Sequence, residues 1–222
     1  MIFDARIWNA KQKSLQLMLD INTFNKGKKI LLEMHSLLHD KKVYKSTVES
    51  YYDNLWENLK VKTCKIISNK ETSILWNIWH ITRIEDLIGN IVIGNKNEIF
   101  NKDIQKELNI QIKDTGNIMG HEEMEIFNEM INIKALKEYR NKVGKSTQKI
   151  INALEFSDMK IKTKKEQMEK IYECGGVLDA TTGLLEFWGK KDIFGLIMMP
   201  ITRHQTVHLN DCFKIKAKYN KT

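Results

Sequence analysis

Two histidines near the C-terminal end of the sequence, His204 and His208, have the spacing of a metal-chelating pair. Pro200, the only proline, suits the first turn of a helix, where its missing N–H has no partner to lose. Four residues make about one helical turn, so both imidazoles are expected on one face. The alternative is a pair of surface or hydrogen-bonded core histidines. Gln205 replaces the glutamate of a His-Glu-x-x-His motif, which argues against a metalloprotease.

The helix face that carries this pair is otherwise apolar, because Ile201, Cys212 and Ile215 share it. A buried imidazole needs a polar partner, and one divalent ion satisfies both histidines. Cys212 lies one turn beyond His208 and is a further candidate for the site. Its alternative role is that of a small buried hydrophobic residue.

A third ligand is predicted on another long helix. His80 lies in the middle of the apolar stripe of a helix predicted from Glu71 to about Ile93. Catalytic zinc sites usually use three protein ligands and leave one position open, and helical bundles build metal sites from facing helices. A single histidine on an apolar face is more often hydrogen-bonded than metallated. Together with the C-terminal pair, however, it predicts a metal site formed by His80, His204 and His208.

The distribution of arginine adds a second indication of chemistry. Only four of the 36 Lys and Arg residues are arginines, and two of these lie close to the predicted ligands. Arg203 precedes His204, and Arg83 follows His80 by three residues. A guanidinium group binds carboxylates through two parallel hydrogen bonds, so we expect Arg83 and Arg203 to hold a substrate anion in the catalytic site. The alternative is that they form ion pairs with acids of the helices.

Several other polar residues have roles that the sequence leaves open. Either Glu85 or Asp86 is expected to accept the second ring N–H of a ligand histidine, as metal sites require. His35 and His39 repeat the four-residue spacing, and their spacing alone supports a competing metal site. His121, beside two glutamates, is predicted to be a surface residue or a helix cap.

The composition is typical of a soluble globular protein, with 42% hydrophobic and 29% charged residues. No run of about 18 apolar residues and no signal-peptide pattern is present, so we expect a cytoplasmic protein without a membrane span. Three cysteines, odd in number and widely spaced, argue against a disulfide framework.

The net charge of +8 permits binding to nucleic acid but does not require it. The lysines are spread along the whole chain, and no basic block alternates with aromatic residues as in a nucleic-acid groove. DNA binding is therefore kept only as a weakly supported alternative, and a small-molecule substrate is preferred.

One proline, 11 glycines and long stretches of Leu, Ile, Lys, Glu and Asn predict an all-α fold. We expect one domain over residues 1–222, an antiparallel four-helix bundle with additional short helices and one long inter-helix insertion between Gly94 and Gly120. Residues 183–189 are predicted to be an apolar connection, and residues 4–19 a helix or a short extended piece. Ser46 and Ser68, each followed by glutamate three residues later, predict capping boxes. The remaining helices are predicted at about Lys28–Asp40, Ser46–Leu59, Glu71–Ile93, Asn132–Leu154, Thr163–Gly175 and from Pro200 onward.

Two segments carry a resemblance to a known family. The segment from Trp76 to Asp86, Trp-Asn-Ile-Trp-His-Ile-Thr-Arg-Ile-Glu-Asp, is followed far downstream by His204-x-x-x-His208. In order and spacing these residues resemble the DinB-like superfamily of four-helix-bundle metalloproteins, over about residues 30–215. Two features depart from the family: Leu209-Asn-Asp follows the last histidine instead of Arg-Gly-Gln, and the region 94–130 is longer than in a minimal member.

The resemblance implies a divalent metal, zinc or nickel, held by three histidines with water in an open position. It also implies a homodimer, and activities such as thiol S-transfer with a low-molecular-weight thiol, bacillithiol or mycothiol. We therefore expect a metal-dependent thiol S-transferase or hydrolase. The alternative is a non-enzymatic helical bundle, with a structural metal or none, that acts through a protein partner.

Overall fold

The computed structural model describes residues 5–220, and this part of the chain is helical with no β-strand. One isolated bridge joins Lys162 to Asp192. Residues 1–4 lie outside the described residues. The first residue of the segment 4–19, which is predicted to be a helix or a short extended piece, is therefore not described. The α-helices are α1 Ala5–Ser14, α2 Phe24–Leu38, α3 Lys41–Tyr44, α4 Tyr51–Trp56, α5 Val61–Lys65, α6 Ile74–Glu85, α7 Lys102–Leu108, α8 His121–Met130, α9 Ile133–Ala153, α10 Lys165–Glu173, α11 Gly183–Gly189, α12 Ile193–Leu196 and α13 His204–Tyr219.

Two of these helices continue without interruption into π-helical segments. The segment Asp86–Ile93 extends α6, and the segment Ile197–Arg203 joins α12 to α13. Three short 3₁₀ segments complete the helical structure, at Leu15–Leu19, Phe156–Lys160 and Asp179–Thr181. The predicted all-α class is confirmed, whereas the antiparallel four-helix bundle and the single domain over residues 1–222 stay predictions.

The helix α6 lies at the centre of the packing. All 12 of its residues are buried, and it contacts α5, α8, α9 and α13. A helix that is enclosed on every side has no polar face to present to solvent, which explains its run of tryptophan and isoleucine. Because α13 packs directly against α6, its histidines are brought towards the middle of the protein.

Local hydrogen bonds determine where the helices begin. The hydroxyl of Ser73 accepts a hydrogen bond from Trp76 N at 3.0 Å, and Ser50 forms a capping box with Asp53. The caps predicted at Ser46 and Ser68 are therefore wrong: the helices are capped four residues later, at Ser50, and five residues later, at Ser73. In both cases another serine closer to the first apolar turn forms the cap.

Pro200 does not begin the last helix, as the sequence predicts, but lies inside the π-helical segment Ile197–Arg203. Side chains satisfy carbonyls of this segment: Thr202 Oγ1 donates to Ile197 O at 2.8 Å, and Gln12 Nε2 donates to Met198 O at 2.8 Å. Such replacement hydrogen bonds allow a proline within a helix, where an α-helical bond is otherwise lost.

The region between Gly94 and His121 contains α7 and the loop Asn109–Gly120. Residues 183–189 form the helix α11, so their prediction as a non-helical connection is wrong. Along residues 5–220, no helix combines the length and the apolar composition needed to cross a bilayer.

Candidate metal centre

The three predicted ligands meet between α6 and α13. His80, His204 and His208 each offer one ring nitrogen, and these atoms lie within 4.8 Å of one another. The closest approach joins His80 Nε2 to His204 Nε2 at 3.2 Å. Ligands bound to one zinc ion at about 2.0–2.1 Å are separated by similar distances, so the spacing is compatible with a shared ion.

A backbone carbonyl fixes the orientation of His80. Its Nδ1 donates to Thr115 O at 2.7 Å, because a carbonyl oxygen can only accept. The neutral ring therefore directs the lone pair of Nε2 towards the other two histidines. Trp76 stacks on His80 with a centroid distance of 4.6 Å and donates from Nε1 to Gly116 O at 3.0 Å, so the same loop holds both rings.

The side chain of Asn77 fixes the orientation of the His208 ring. The Oδ1 of Asn77 lies 2.7 Å from His208 Nδ1, while its Nδ2 donates to Ser73 O at 2.7 Å. The second bond identifies which end of the amide is the oxygen, so His208 Nδ1 carries the hydrogen. The lone pair of His208 Nε2 is consequently free for a ligand-binding role.

His204 completes the set and has one orphaned atom. Its buried Nδ1 has no hydrogen-bond partner, while its Nε2 faces His80. Two inward lone pairs are fixed by Thr115 and Asn77, and a third imidazole lies beside them. Converging imidazole lone pairs form the donor set of a zinc or nickel ion, so these residues fit the predicted metal.

The charge state of the three rings agrees with this role. Burial lowers the pKa of His80 to about 4 and that of His208 to about 3. Burial also lowers the pKa of His204 well below its usual value, with smaller contributions from the other two rings. All three rings are therefore neutral near pH 7, which is the form of imidazole that binds metals.

The centre is accessible from one side. His80 is buried, but His204 and His208 are partly exposed at the surface of α13. Lys70 lies close enough to His208 to contribute to its lowered pKa, and it forms an ion pair with Asp211 at 2.9 Å. The two partly exposed rings therefore mark the side from which a small molecule would approach the ion.

Comparisons of this chain with protein-family models, with curated proteins and with solved structures gave no match. The resemblance of the segment Trp76–Asp86 and the pair His204 and His208 to the DinB-like superfamily stays a prediction.

The two predicted catalytic arginines occupy different environments. Arg83 is fully buried, donates from Nε to Lys113 O at 2.6 Å and pairs with Glu98 at 2.5 Å. Its guanidinium carbon also lies 4.6 Å from the centre of the Phe100 ring. Arg203 is exposed and immediately precedes His204 on the continuous helix. Their catalytic roles stay predictions.

The expectation that Glu85 or Asp86 supports a ligand histidine of this centre is wrong. The supporting acceptors are Thr115 O and Asn77 Oδ1. Asp86 instead accepts hydrogen bonds from Tyr139 and from the backbone of residues 99 and 100. The sequence contains a signal for Asn77, a polar residue among the apolar residues of the first half of α6. A carbonyl leaves no such signal, because every residue carries one.

A second group of possible ligands lies apart from the first. His35, His39 and Glu85 also bring their ligand atoms within 4.8 Å of one another, so the two histidines pair with a glutamate rather than compete for His80. Cys212 is fully buried and belongs to neither group, which agrees with its alternative role as a buried hydrophobic residue. His121 begins α8, is exposed and contacts Glu71, as expected of a surface residue.

Proposed function

We propose that this chain is a metal-dependent enzyme of the DinB-like type, in which His80, His204 and His208 hold a divalent zinc or nickel ion. The observation that carries the proposal is the pair of inward lone pairs fixed by Thr115 O and Asn77 Oδ1. In metal sites, a hydrogen bond from the second ring nitrogen fixes the tautomer and the orientation of each ligand histidine. The bonds to Thr115 O and Asn77 Oδ1 would do this for two of the three imidazoles. A hydrogen bond from His204 Nε2 to His80 Nε2 satisfies one of these lone pairs without a metal, but it leaves the lone pair of His208 Nε2 and the buried Nδ1 of His204 without a partner.

When bound, such an ion lowers the pKa of water or of a low-molecular-weight thiol and so supplies a nucleophile near neutral pH. The chain's own groups position the reactants. Trp76 forms an apolar wall beside His80, and Arg203, exposed next to His204, binds a carboxylate of the thiol or of the substrate. Arg83 acts through the loop that it holds at Lys113 O, two residues before Thr115.

The proposed reaction is a transfer or a hydrolysis. In the transfer, the thiolate sulfur forms a C–S bond with an electrophilic carbon, and the leaving group departs with the electron pair of the broken bond. The proton of the thiol passes to solvent. In the hydrolysis, water replaces the thiol, and its oxygen forms the new bond. The substrate is in either case a small molecule that reaches the open side of the site.

Metal analysis tests the first half of the proposal. Protein purified without an affinity tag should contain a divalent metal, and a double variant, His204→Ala with His208→Ala, should lose it from this centre. His121→Ala, which removes an exposed histidine, is the matched control and should keep the wild-type content. Folded wild-type protein that binds neither added zinc nor nickel at this centre would contradict the proposal.

An activity assay tests the second half. The metal-loaded protein should accelerate the conjugation of a low-molecular-weight thiol, such as bacillithiol or mycothiol, to a chlorinated aromatic electrophile, or the hydrolysis of an activated ester. The control is the same protein after metal removal. If neither reaction proceeds faster than in that control, the alternative is favoured: a non-enzymatic helical bundle with a metal that is only structural.

The same resemblance leads us to propose a homodimer. Light scattering coupled to size-exclusion chromatography should give about twice the chain mass of 26.1 kDa. A mass equal to that of one chain at micromolar concentration would count against the dimer but would leave the metal site unaffected.

A further inference from the structure

The second histidine group is enclosed in the core where the end of α2 meets the end of α6. His35 Nε2 lies 3.0 Å from Glu85 Oε1, and His39 Nε2 lies 3.1 Å from Glu85 Oε2. The two imidazole rings have a centroid distance of 4.2 Å. All three side chains are 0% exposed. The two histidines therefore face one carboxylate in a space that solvent does not reach.

His39 is left without hydrogen bonds in this arrangement. Neither its Nδ1 nor its Nε2 has a partner with hydrogen-bond geometry, although the ring is completely buried. Its Nδ1 faces the backbone of α9 at Gly144, where a Cβ atom would lie only 2.5 Å away. Buried polar groups in native proteins nearly always form a well-aligned hydrogen bond, so a ring whose Nε2 has only the poorly aligned contact with Glu85 at 3.1 Å indicates that a partner is missing.

We propose that His35, His39 and Glu85 form a second site for a divalent transition metal. Two imidazoles and one carboxylate are the donor set of many zinc and iron(II) sites. The Nε2 atoms of both histidines and the oxygens of Glu85 already lie about as far apart as ligands of one ion do. An ion among them gives His39 Nε2 the partner that it lacks.

Neighbouring groups orient two of these ligands, His35 and Glu85. The hydroxyl of Tyr44 lies 2.6 Å from His35 Nδ1, and in the tautomer in which Nδ1 donates to it, the lone pair of His35 Nε2 is left for the ion. Gln205 Nε2 donates to Glu85 Oε2 at 3.1 Å and to Ile81 O at 3.0 Å. Hydrogen bonds of this kind fix ligand orientation and strengthen metal binding.

One cation already lies near the carboxylate. Arg140 NH1 is 4.0 Å from Glu85 Oε2. The guanidinium, however, has acceptors of its own, since it donates to Thr82 Oγ1, Leu38 O and Gln205 Oε1 at 2.8–3.1 Å. Glu85 is therefore not needed to satisfy the hydrogen bonds of Arg140, and its oxygens remain directed at the two histidines.

The burial of this group distinguishes it from the first centre. His204 and His208 are partly exposed, whereas all three side chains of the second group are buried. An ion at the second site is therefore structural, is taken up as the chain folds and exchanges only when the core opens. No substrate reaches it.

Metal counting in a variant that lacks the first centre tests the proposal. The double variant His204→Ala with His208→Ala, expressed without a tag and also refolded with added Zn²⁺, should retain about one metal ion per chain. This ion should resist EDTA until guanidinium unfolds the protein. A folded double variant that contains no metal under both conditions overturns the proposal. Because the first centre is absent from this variant, the result does not depend on the proposed function.

Two further variants in the same background assign the ligands. His39→Gln should lose the ion, whereas His121→Gln, which changes an exposed histidine outside both groups, should keep it. If His39→Gln keeps the ion, and the ion resists EDTA as before, His39 is not a ligand and the assignment is overturned. If His39→Gln does not fold, X-ray absorption at the zinc edge of the double variant decides instead. Two imidazoles with an oxygen ligand support the site, and sulfur ligation refutes it.

Discussion

At the residue scale, the candidate centre depends on where two protons lie. His80 and His208 are oriented because Thr115 O and Asn77 Oδ1 each accept an Nδ1–H. Each acceptor leaves the opposite nitrogen, Nε2, with its lone pair facing the site. The geometry of the three rings is thus determined by groups that do not themselves belong to the ligand set.

Removal of the Asn77 acceptor should therefore weaken metal binding without removing a ligand. In Asn77→Ala, the His208 ring is free to turn, and loss of such a supporting hydrogen bond typically lowers metal affinity about 10–100-fold. Competition titration with a chromophoric zinc chelator measures the change. Asn152→Ala, at an exposed helical position, is the matched control. Equal affinities in the two variants would show that Asn77 does not orient the ligand.

The two arginines should differ in what their loss affects. Arg83 is fully buried and pairs with Glu98, whose side chain is 16% exposed, so Arg83→Met leaves a largely enclosed acid unpaired and should cost about 3 kcal/mol of unfolding free energy. Arg203→Gln, at an exposed position, should leave the stability within about 0.5 kcal/mol and raise the KM for an anionic substrate. Urea titrations and initial-rate kinetics separate these effects. Unchanged stability of Arg83→Met would contradict the assigned ion pair.

Residue spacing is sufficient to predict that the three histidines come together, but not what surrounds them. The four-residue interval of His204 and His208 and the apolar setting of His80 are visible in the sequence. Thr115 lies 35 residues beyond His80, and it contributes a carbonyl, which has no sequence signature. Glu85, one of the two acids expected to support a ligand histidine, contacts His35 and His39 instead, because its position on α6 does not reveal which neighbouring helix it meets.

At the element scale, a π-helical segment sets the register of α13, the helix that carries two of the three histidines. The segment Ile197–Arg203 precedes α13 and therefore determines the direction in which His204 and His208 project. Such segments are stabilised by side chains that satisfy the altered backbone pattern and occur frequently at functional sites. The sequence predicts a helix start at Pro200, because proline is favoured in the first turn of a helix. Its accommodation by Thr202 and Gln12 depends on tertiary contacts.

The hydroxyl of Thr202 should consequently matter for stability. Thr202→Val preserves the shape but leaves Ile197 O and the Gln12 amide without this partner, which should cost about 1–3 kcal/mol. Thr147→Val is a matched control, because the buried Thr147 hydroxyl has no partner, and its removal should be neutral or stabilising. Thermal melting compares the two. A smaller loss for Thr202→Val than for Thr147→Val would exclude the proposed role of the hydroxyl.

Long periodic helices were predictable, while short ones were not. The predictions at about 28–40 and 132–154 correspond to α2, Phe24–Leu38, and α9, Ile133–Ala153. Both have apolar residues at helical spacing over several turns. The seven-residue α11 was interpreted as a connection, because a segment of two turns is too short to establish a period.

At the scale of the whole molecule, the core does not depend on the first metal centre. Buried hydrophobic residues from Trp8 to Ile215 form one continuous cluster, and they pack around α6. A chain of 222 residues buries enough apolar surface to fold without a metal. The all-α class follows from composition, whereas the arrangement of the helices follows from contacts between residues that are distant in sequence.

Zinc should therefore stabilise an already folded protein. At a free zinc concentration about 100 times the Kd, binding to the native state adds about 2.7 kcal/mol. For a chain of this length, that corresponds to a rise of roughly 5–10 °C in Tm. Calorimetry of EDTA-treated protein with and without zinc measures the shift. The double variant His204→Ala with His208→Ala is the control and should show no shift from this centre.

The most direct measurement of the three-histidine centre is an anomalous difference map from crystals of zinc-loaded protein, recorded on both sides of the zinc absorption edge. We predict a peak bonded to Nε2 of His80, His204 and His208, with Thr115 O and Asn77 Oδ1 still accepting from the rings of His80 and His208. A fully loaded crystal with no anomalous peak among these three imidazoles would contradict the central claim.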